Sequence, residues 1–310
     1  MIITRLLTGL LLFIGGMHMM RMGLFNLAGD NMRAWLIRFT KTPARGLITG
    51  TLVTMITQSS SAVSVLTIGL THARLLSFPQ TIGIILGTNI GTTFTTQLIA
   101  LDLGKHALPV FIVGCILWFI PRSPWRAVGA SLAGFGCIFL GINVMQAMIG
   151  PLQEMRWLPK ILTHASGNYL SAILIGAVLT AIIQSSSAVT AITMGFMNQN
   201  MIPLATGIAI VLGSNIGTCV TAVLAAVGSS VPAKKVAWVH VFLNVAGVLL
   251  FIPLIQPLAS IVSWLTDSPD LQIAHSQTIF NIVCSLIALP FTYSIALLAD
   301  FFIPDKIKPR

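Results

Sequence analysis

Charge is scarce in this chain: Asp, Glu, Lys and Arg together supply only 8% of its 310 residues. With 55% hydrophobic residues and a mean hydropathy of +0.93, that scarcity excludes a soluble domain of this length. Alternating polar and apolar strand patterns are also missing. A barrel is thereby set aside, and helices remain as the way to satisfy backbone groups in lipid. The four cysteines (Cys115, Cys137, Cys219 and Cys284) lie in apolar stretches without CxxC spacing, which argues against disulfide and metal roles. The histidines are scattered with no metal spacing, and no A-x-A cleavage site follows the apolar run after Arg5, so that run reads as a retained helix. What the chain does have is one long apolar run after another, the mark of a polytopic helical membrane protein. Its formal charge of +10 is carried between those runs. This suits cytoplasmic loops held against anionic lipid and argues against nucleic acid as a partner.

The polar residues that remain are concentrated and repeated. Gln58-Ser59-Ser60-Ser61-Ala62-Val63 recurs letter for letter as Gln184-Ser185-Ser186-Ser187-Ala188-Val189, an offset of 126 residues. The same offset, without a gap, carries Gly87-Thr88-Asn89-Ile90-Gly91-Thr92 onto Gly213-Ser214-Asn215-Ile216-Gly217-Thr218. From Gly50 to Thr92, 19 of 43 aligned positions are identical, including Thr54/Thr180 and Thr67/Thr193. The unit is too long for a solenoid, so the chain reads as one duplicated module. The first copy covers residues 1–125, the second 126–256, and a C-terminal helix and tail cover 257–310.

Within each copy the polar runs dictate the expected structure. A first helix over 4–20 is followed by an amphipathic interface segment over 21–42, whose counterpart is 152–166. Residues 46–70 and 172–196 carry their polar run at the centre, so each is expected as a re-entrant hairpin with the run at its tip. Residues 79–100 and 203–227 are long enough to span, but glycines, an Asn and hydroxyls interrupt them. They are expected as broken helices with unwound centres; the competing reading is a GxxxG packing face. A last helix over 272–303 is expected to kink at Pro290.

Three crossings per copy would insert the second copy upside down. On that assignment thirteen basic residues share one side, while only Arg5, Lys105, Arg156 and Lys160 lie on the other. The positive-inside bias places the N-terminus outside and the C-terminus in the cytoplasm. The expected fold is therefore all-α and polytopic, with two inverted-topology repeats, each holding a re-entrant hairpin and a broken transmembrane helix, plus a final helix.

The four polar runs contain Gln, Ser, Thr and Asn but no Asp, Glu, Lys, Arg or His. Half-helix N-termini favour an anion, and hydroxyls donate to tetrahedral oxygens. Freed carbonyls and amide or hydroxyl oxygens suit a hard cation. A charge-free site gains most by binding both, and sodium with an inorganic anion is the natural pair. A serine hydrolase would need a base, and neither run has one within its segment. A channel, and a transporter for sulfate or a dicarboxylate, remain as rivals. His240 and Asn244, one turn apart, read as a hydrogen-bonded structural pair ahead of a proton relay; Gln97, Asn143 and Asn281 read as interhelical contacts, with a cavity position as the alternative.

The paired QSSSA motifs, each followed by G-[TS]-N-I-G-T, resemble the type II sodium/phosphate cotransporter family, and the resemblance covers most of the chain. It implies a secondary active transporter, not an enzyme, which moves inorganic phosphate with sodium by alternating access in the cell (inner) membrane. By position, phosphate would fall to Ser59, Ser60, Ser61, Asn89, Ser185, Ser186, Ser187 and Asn215. Sodium would fall to Thr57, Gln58, Thr92, Gln184, Ser214 and Thr218. No organic cofactor is implied, and a homodimer is one expected assembly. Many bacterial members carry a regulator-like domain after the transporter, while this sequence ends at Arg310; the direction of transport, uptake or export, stays open.

Overall fold

The computed structural model describes residues 2–28, 31–101, 103–153 and 158–304. Every regular element among them is helical. In chain order they are α1 (Ile2–Ala28), α2 (Asn31–Phe39), α3 (Pro43–Thr57), α4 (Ser60–His72), α5 (Phe78–Ile99), α6 (Ala107–Trp118), α7 (Ser123–Gln153), α8 (Leu158–Gly167), α9 (Tyr169–Ile183), α10 (Ser186–Asn198), α11 (Leu204–Ala226), α12 (Val231–Phe251), α13 (Ile255–Leu265), α14 (Pro269–Ala288) and α15 (Thr292–Phe302). Among the described residues five stretches are long and apolar enough to cross a membrane: Thr4–Ala28, Ser123–Met148, Leu204–Ala226, Val231–Leu265 and Pro269–Phe302. Counting the bent pair α5 and α6 as one span makes six. The last span is interrupted by a 3-10 turn at Leu289–Phe291, where Pro290 cannot continue the α-helical ladder.

The helices form two compact units that cut across the sequence repeats. Unit 1 holds residues 1–29, 95–217 and 252–277; unit 2 holds 30–94, 218–251 and 278–310. In unit 1, α1 and α7 pack along their length through small residues. A Cβ on Gly16 would lie 2.7 Å from Gly134 O, one on Gly141 2.6 Å from Gly9 O, and one on Gly23 2.4 Å from Ser131 Oγ. Rising numbers in α1 meet falling numbers in α7, so the two helices run antiparallel. The other side of α7 takes α6 just as closely: a Cβ on Gly114 would lie 2.1 Å from Ala133 N. Lipid gives helices no hydrophobic reason to associate, so such backbone-to-backbone approach supplies the dispersion contact.

This packing corrects one expectation. The interface segment does not begin at residue 21: Arg21, Leu24, Phe25 and Leu27 continue α1, drawn on by the seam at Gly23. Only α2, nine residues with Met32 and Leu36 buried, is a separate short helix. Its counterpart α8 begins at Leu158; Glu154, Arg156 and Trp157 fall outside the described residues, as do Lys306, Lys308 and Arg310.

Unit 2 is organised on α5, α11, α12 and α15, whose Ile82, Ile85, Leu86, Ala222, Val236, Val239 and Ala299 form a buried core. Trp238 stacks on Phe242 at 5.1 Å and on Phe302 at 5.3 Å. Beside it Lys235, almost wholly buried, pairs with Asp300 at 2.7 Å, tying α12 to α15. Nothing in the local sequence of either residue announces this pairing.

Candidate functional site

The two QSSS motifs fold into the same local structure. Helix α3 ends where Gln58 turns left-handed (φ 53°, ψ 28°), and Ser59 is extended (φ −147°, ψ 92°) as the N-cap of α4. In the second copy Gln184 (φ 59°, ψ 25°) closes α9, and Ser185 (φ −147°, ψ 103°) caps α10. Each Gln N–H returns to a carbonyl four residues back, Thr54 O and Thr180 O, both at 2.8 Å. Each Gln amide then folds onto the carbonyl three back, Met55 O and Ala181 O. Each cap serine accepts from the N–H three residues on, Ala62 at 3.2 Å and Ala188 at 3.3 Å. The sequence therefore breaks the helix with side-chain chemistry that finishes one helix and starts the next within two residues.

That break leaves the first N–H groups of α4 (Ser60, Ser61) and of α10 (Ser186, Ser187) at helix N-termini, carrying partial positive charge with hydroxyls alongside. No ionised side chain occupies either motif. Helices of 15 and 13 residues are each too short to cross a bilayer core of about 30 Å.

The second pair of motifs departs from expectation. Residues 87–93 and 213–218 are not unwound: α5 and α11 pass through them as continuous helices. Five of their polar side chains bond along the helix itself. Thr88, Thr92 and Thr93 donate to Ile85 O, Thr88 O and Ile90 O, Ser214 donates to Val211 O, and Asn215 Nδ2 donates to Val211 O at 3.1 Å. The glycines serve packing instead of unwinding. A Cβ on Gly87 would lie 2.2 Å from Leu47 O, and one on Gly91 2.6 Å from Thr54 Cβ. In the second copy a Cβ on Gly213 would lie 1.9 Å from Ile173 O, and one on Gly217 2.6 Å from Thr180 Cβ. Each G-x-x-x-G face is thus the seat of the helix that precedes the QSSS break of its own copy, and Thr51 Oγ1 donates across it to Gly87 O at 3.2 Å.

Of the sodium and phosphate candidates, Thr57, Gln58 and Ser59 are buried, while Ser60, Ser61, Asn89 and Thr92 are half-buried. In the second copy Ser186, Ser187, Ser214 and Asn215 are buried, Ser185 and Thr218 half-buried, and Gln184 exposed. Asn89 lines a small cavity of about 160 Å³ with Leu86, Phe242 and Ser285. Thr57 Oγ1 gives its proton to Val53 O at 2.8 Å.

Two sets of residues were not singled out for the site from the sequence. Thr221 Oγ1 lies 3.4 Å from Ser61 Oγ, so the first break meets a hydroxyl from the second repeat. Its counterpart 126 residues earlier is Thr95, a signal that was present. The other set is Thr54, Ser64, Thr180 and Thr190, whose hydroxyls are buried without a hydrogen-bond partner. They form two repeat-related pairs, one residue on each side of each break, and Thr67, Thr71 and Thr193 nearby all bond to their own helix. The His240 and Asn244 pairing is real but different: Asn244 Nδ2 donates to the backbone oxygen of His240 at 2.9 Å, not to its ring. Gln97 reaches His275 Nδ1 at 3.1 Å, and Asn143 donates to Gly104 O at 3.0 Å, both holding separate segments together.

Five stretches long and apolar enough to cross a membrane among the described residues define a multi-pass membrane protein. The chain belongs to the Na+/Pi-cotransporter family, whose model matches residues 12–147 and 153–265; it is a family of transport proteins and supports phosphate transport. Over 298 residues the chain is 41% identical to "Uncharacterized protein YqeW" of Bacillus subtilis, covering 96% of this chain and 97% of that one. It is 24% identical over 303 residues to "Putative inorganic phosphate export protein YjbB" of Salmonella typhimurium, covering 97% of this chain but 56% of that protein. A 151-residue stretch is 34% identical to human "Sodium-dependent phosphate transport protein 2C", covering 45% of this chain and 23% of the human one. The chain therefore spans about half the length of the YjbB relative and less of the human one. No solved structure matches.

Proposed function

We propose that the chain is a secondary active transporter that couples inorganic phosphate movement to sodium by alternating access. The observation that carries this reading is the twofold occurrence of one backbone device, a Gln-closed helix followed by a Ser-capped helix start, in a chain of this family. Phosphate falls to Ser59, Ser60, Ser61, Asn89, Ser185, Ser186, Ser187 and Asn215, where N–H and O–H groups donate to its oxygens. Sodium falls to Thr57, Gln58, Thr92, Gln184, Ser214 and Thr218. Hydroxyls such as those of Thr57, Thr92 and Ser214, whose protons go to backbone carbonyls, keep oxygen lone pairs for a cation. Thr54, Ser64, Thr180 and Thr190 extend this set, since a buried hydroxyl without a protein partner costs free energy that a bound ion would offset.

The repeats are inverted, with hairpins α3–α4 and α9–α10 re-entrant, the N-terminus outside and the C-terminus in the cytoplasm. The thirteen-to-four charge split supports this, and so does the antiparallel run of α1 with α7, its counterpart in the second copy. The membrane is the cell's inner membrane.

A second reading concerns direction. The YjbB relative, aligned over 97% of this chain, is named as a phosphate export protein, and that favours export along the same path.

The deciding experiment is labelled phosphate flux in proteoliposomes with and without a sodium gradient, in both directions. Uphill phosphate accumulation driven by sodium, and not by potassium, is expected. Flux that ignores sodium would overturn the coupling, and flux competed by sulfate but not by phosphate would overturn the substrate.

A further inference from the structure

Two apolar grooves occupy corresponding places in the two repeats. In unit 2, a groove of about 520 Å³ between α2 and α3 is lined by Trp35, Phe39, Ile48, Leu52, Val53 and Ile56. In unit 1, a groove of about 510 Å³ between α8, α9 and α10 is lined by apolar side chains and Thr193, among them Ile161, Leu174, Val178 and Phe196. Ile48, Leu52 and Ile56 stand at least 41% exposed along one face of α3, so the first trough opens outward from the helix.

The grooves match in size and place but not in charge. Arg38 and Arg45 line the first; the second has no charged lining residue. Both arginines are exposed, and the one ion pair found among the described residues lies elsewhere, at Lys235 and Asp300. Arg38 sits 5.7 Å from the centre of the Phe39 ring, which holds its guanidinium at the aromatic rim of the trough. Thr42 caps α3 through the Arg45 N–H at 3.3 Å, fixing Arg45 in the first turn of the helix. Both volumes lie within the range of sites for small molecules.

We propose that the groove between α2 and α3 is a binding site for an anionic glycerophospholipid, with one acyl chain in the trough and the headgroup phosphate held by Arg38 and Arg45. An apolar trough with two exposed guanidinium groups at its edge is complementary to a molecule with a hydrocarbon chain and a phosphodiester. Arginine presents forked donors that suit phosphate oxygens, and its carbon stem lies easily along apolar surface. Free phosphate has no use for the trough, and a neutral or zwitterionic lipid makes less of the two charges. The second groove takes acyl chains of any lipid without preference. The site is independent of the transport pathway.

Native mass spectrometry of the full chain, released from micelles holding equal amounts of phosphatidylglycerol and phosphatidylethanolamine, tests the proposal. One retained phosphatidylglycerol is expected in preference to phosphatidylethanolamine. Preference should fall about fivefold for each arginine neutralised in R38Q and R45Q, and survive in R38K/R45K. Leu52→Trp, which fills the trough and leaves both charges, should also lower retention; this variant keeps the test open if the glutamine variants insert poorly. Excess inorganic phosphate should not displace the lipid. Equal retention of the two lipids by the wild type, loss of the bound lipid to free phosphate, or unchanged retention in both R38Q/R45Q and Leu52→Trp would each overturn the site.

Discussion

The two QSSS breaks share a backbone to within about ten degrees and differ in what covers them. In the first copy the residues before the break are buried (Thr57, Gln58, Ser59), and Ser60 and Ser61 after it are half-open. In the second copy Gln184 is exposed and Ser185 half-open, while everything from Ser186 to Ala191 is buried. The copies have also diverged in chemistry, since Thr57 stands where the second copy has Ile183. Identical six-residue strings thus fix the same turn and the same N–H donors, while the flanks decide which half of the turn is accessible. Duplication has preserved a device and varied its exposure.

The harshest way to break the comparison is to deny α9 its seat against α11. Gly213→Val would drive a side chain into Ile173 O, 1.9 Å from the new Cβ, with no flexible neighbour to yield. Loss of folded protein is expected, measured as the yield of monodisperse material in detergent. Gly69→Ala, where nothing lies within 4 Å of a new Cβ, should be neutral.

A gentler break removes one donor from each tip. If both copies bind phosphate, Ser60→Ala and Ser186→Ala should each raise the KM for phosphate roughly ten- to a hundred-fold, the worth of about 1.5–3 kcal/mol for a hydrogen bond to a charged ligand. Normal uptake kinetics for Ser186→Ala would confine phosphate to the first tip.

The smallest effect sharpens the contrast between two buried threonines on either side of the first break. Thr54→Val discards a hydroxyl with no partner, so melting temperature should hold or rise while sodium dependence weakens about fivefold, or ~1 kcal/mol. Thr67→Val discards a bond to Val63 O and should cost slight stability without touching sodium. A thermal melt and a sodium titration of uptake read both.

The features legible in the sequence are those that local chemistry decides. The helix–break–helix at residues 57–60 follows from a polar run that a straight span would strand in lipid, and the break at Pro290 follows from a missing N–H. Harder to read was the role of Gly87, Gly91, Gly213 and Gly217. A glycine in a helix signals either an unwound backbone or a close neighbour, and only the position of α3 or α9 tells which. Threonines that bond to their own carbonyls look, as letters, the same as threonines awaiting a ligand. Thr54 and Thr88 differ in whether the hydroxyl is turned onto a carbonyl of its own helix, which the chain alone does not state. The Lys235–Asp300 pair, 65 residues apart, was invisible for the same reason.

Gln58 and Gln184 hold left-handed backbone angles that glycine adopts without strain, at a cost of about 1 kcal/mol or more each. A chain with 26 glycines elsewhere keeps a strained side chain at this turn in both copies. Glycine in those two places would relieve the backbone strain at the loss of the amide bonds to Met55 O and Ala181 O, so a gain in thermostability there would not measure the role proposed for the glutamines. If the two glutamines hold sodium as proposed, screens for hardier variants would drift toward replacing them and return well-behaved proteins that no longer transport.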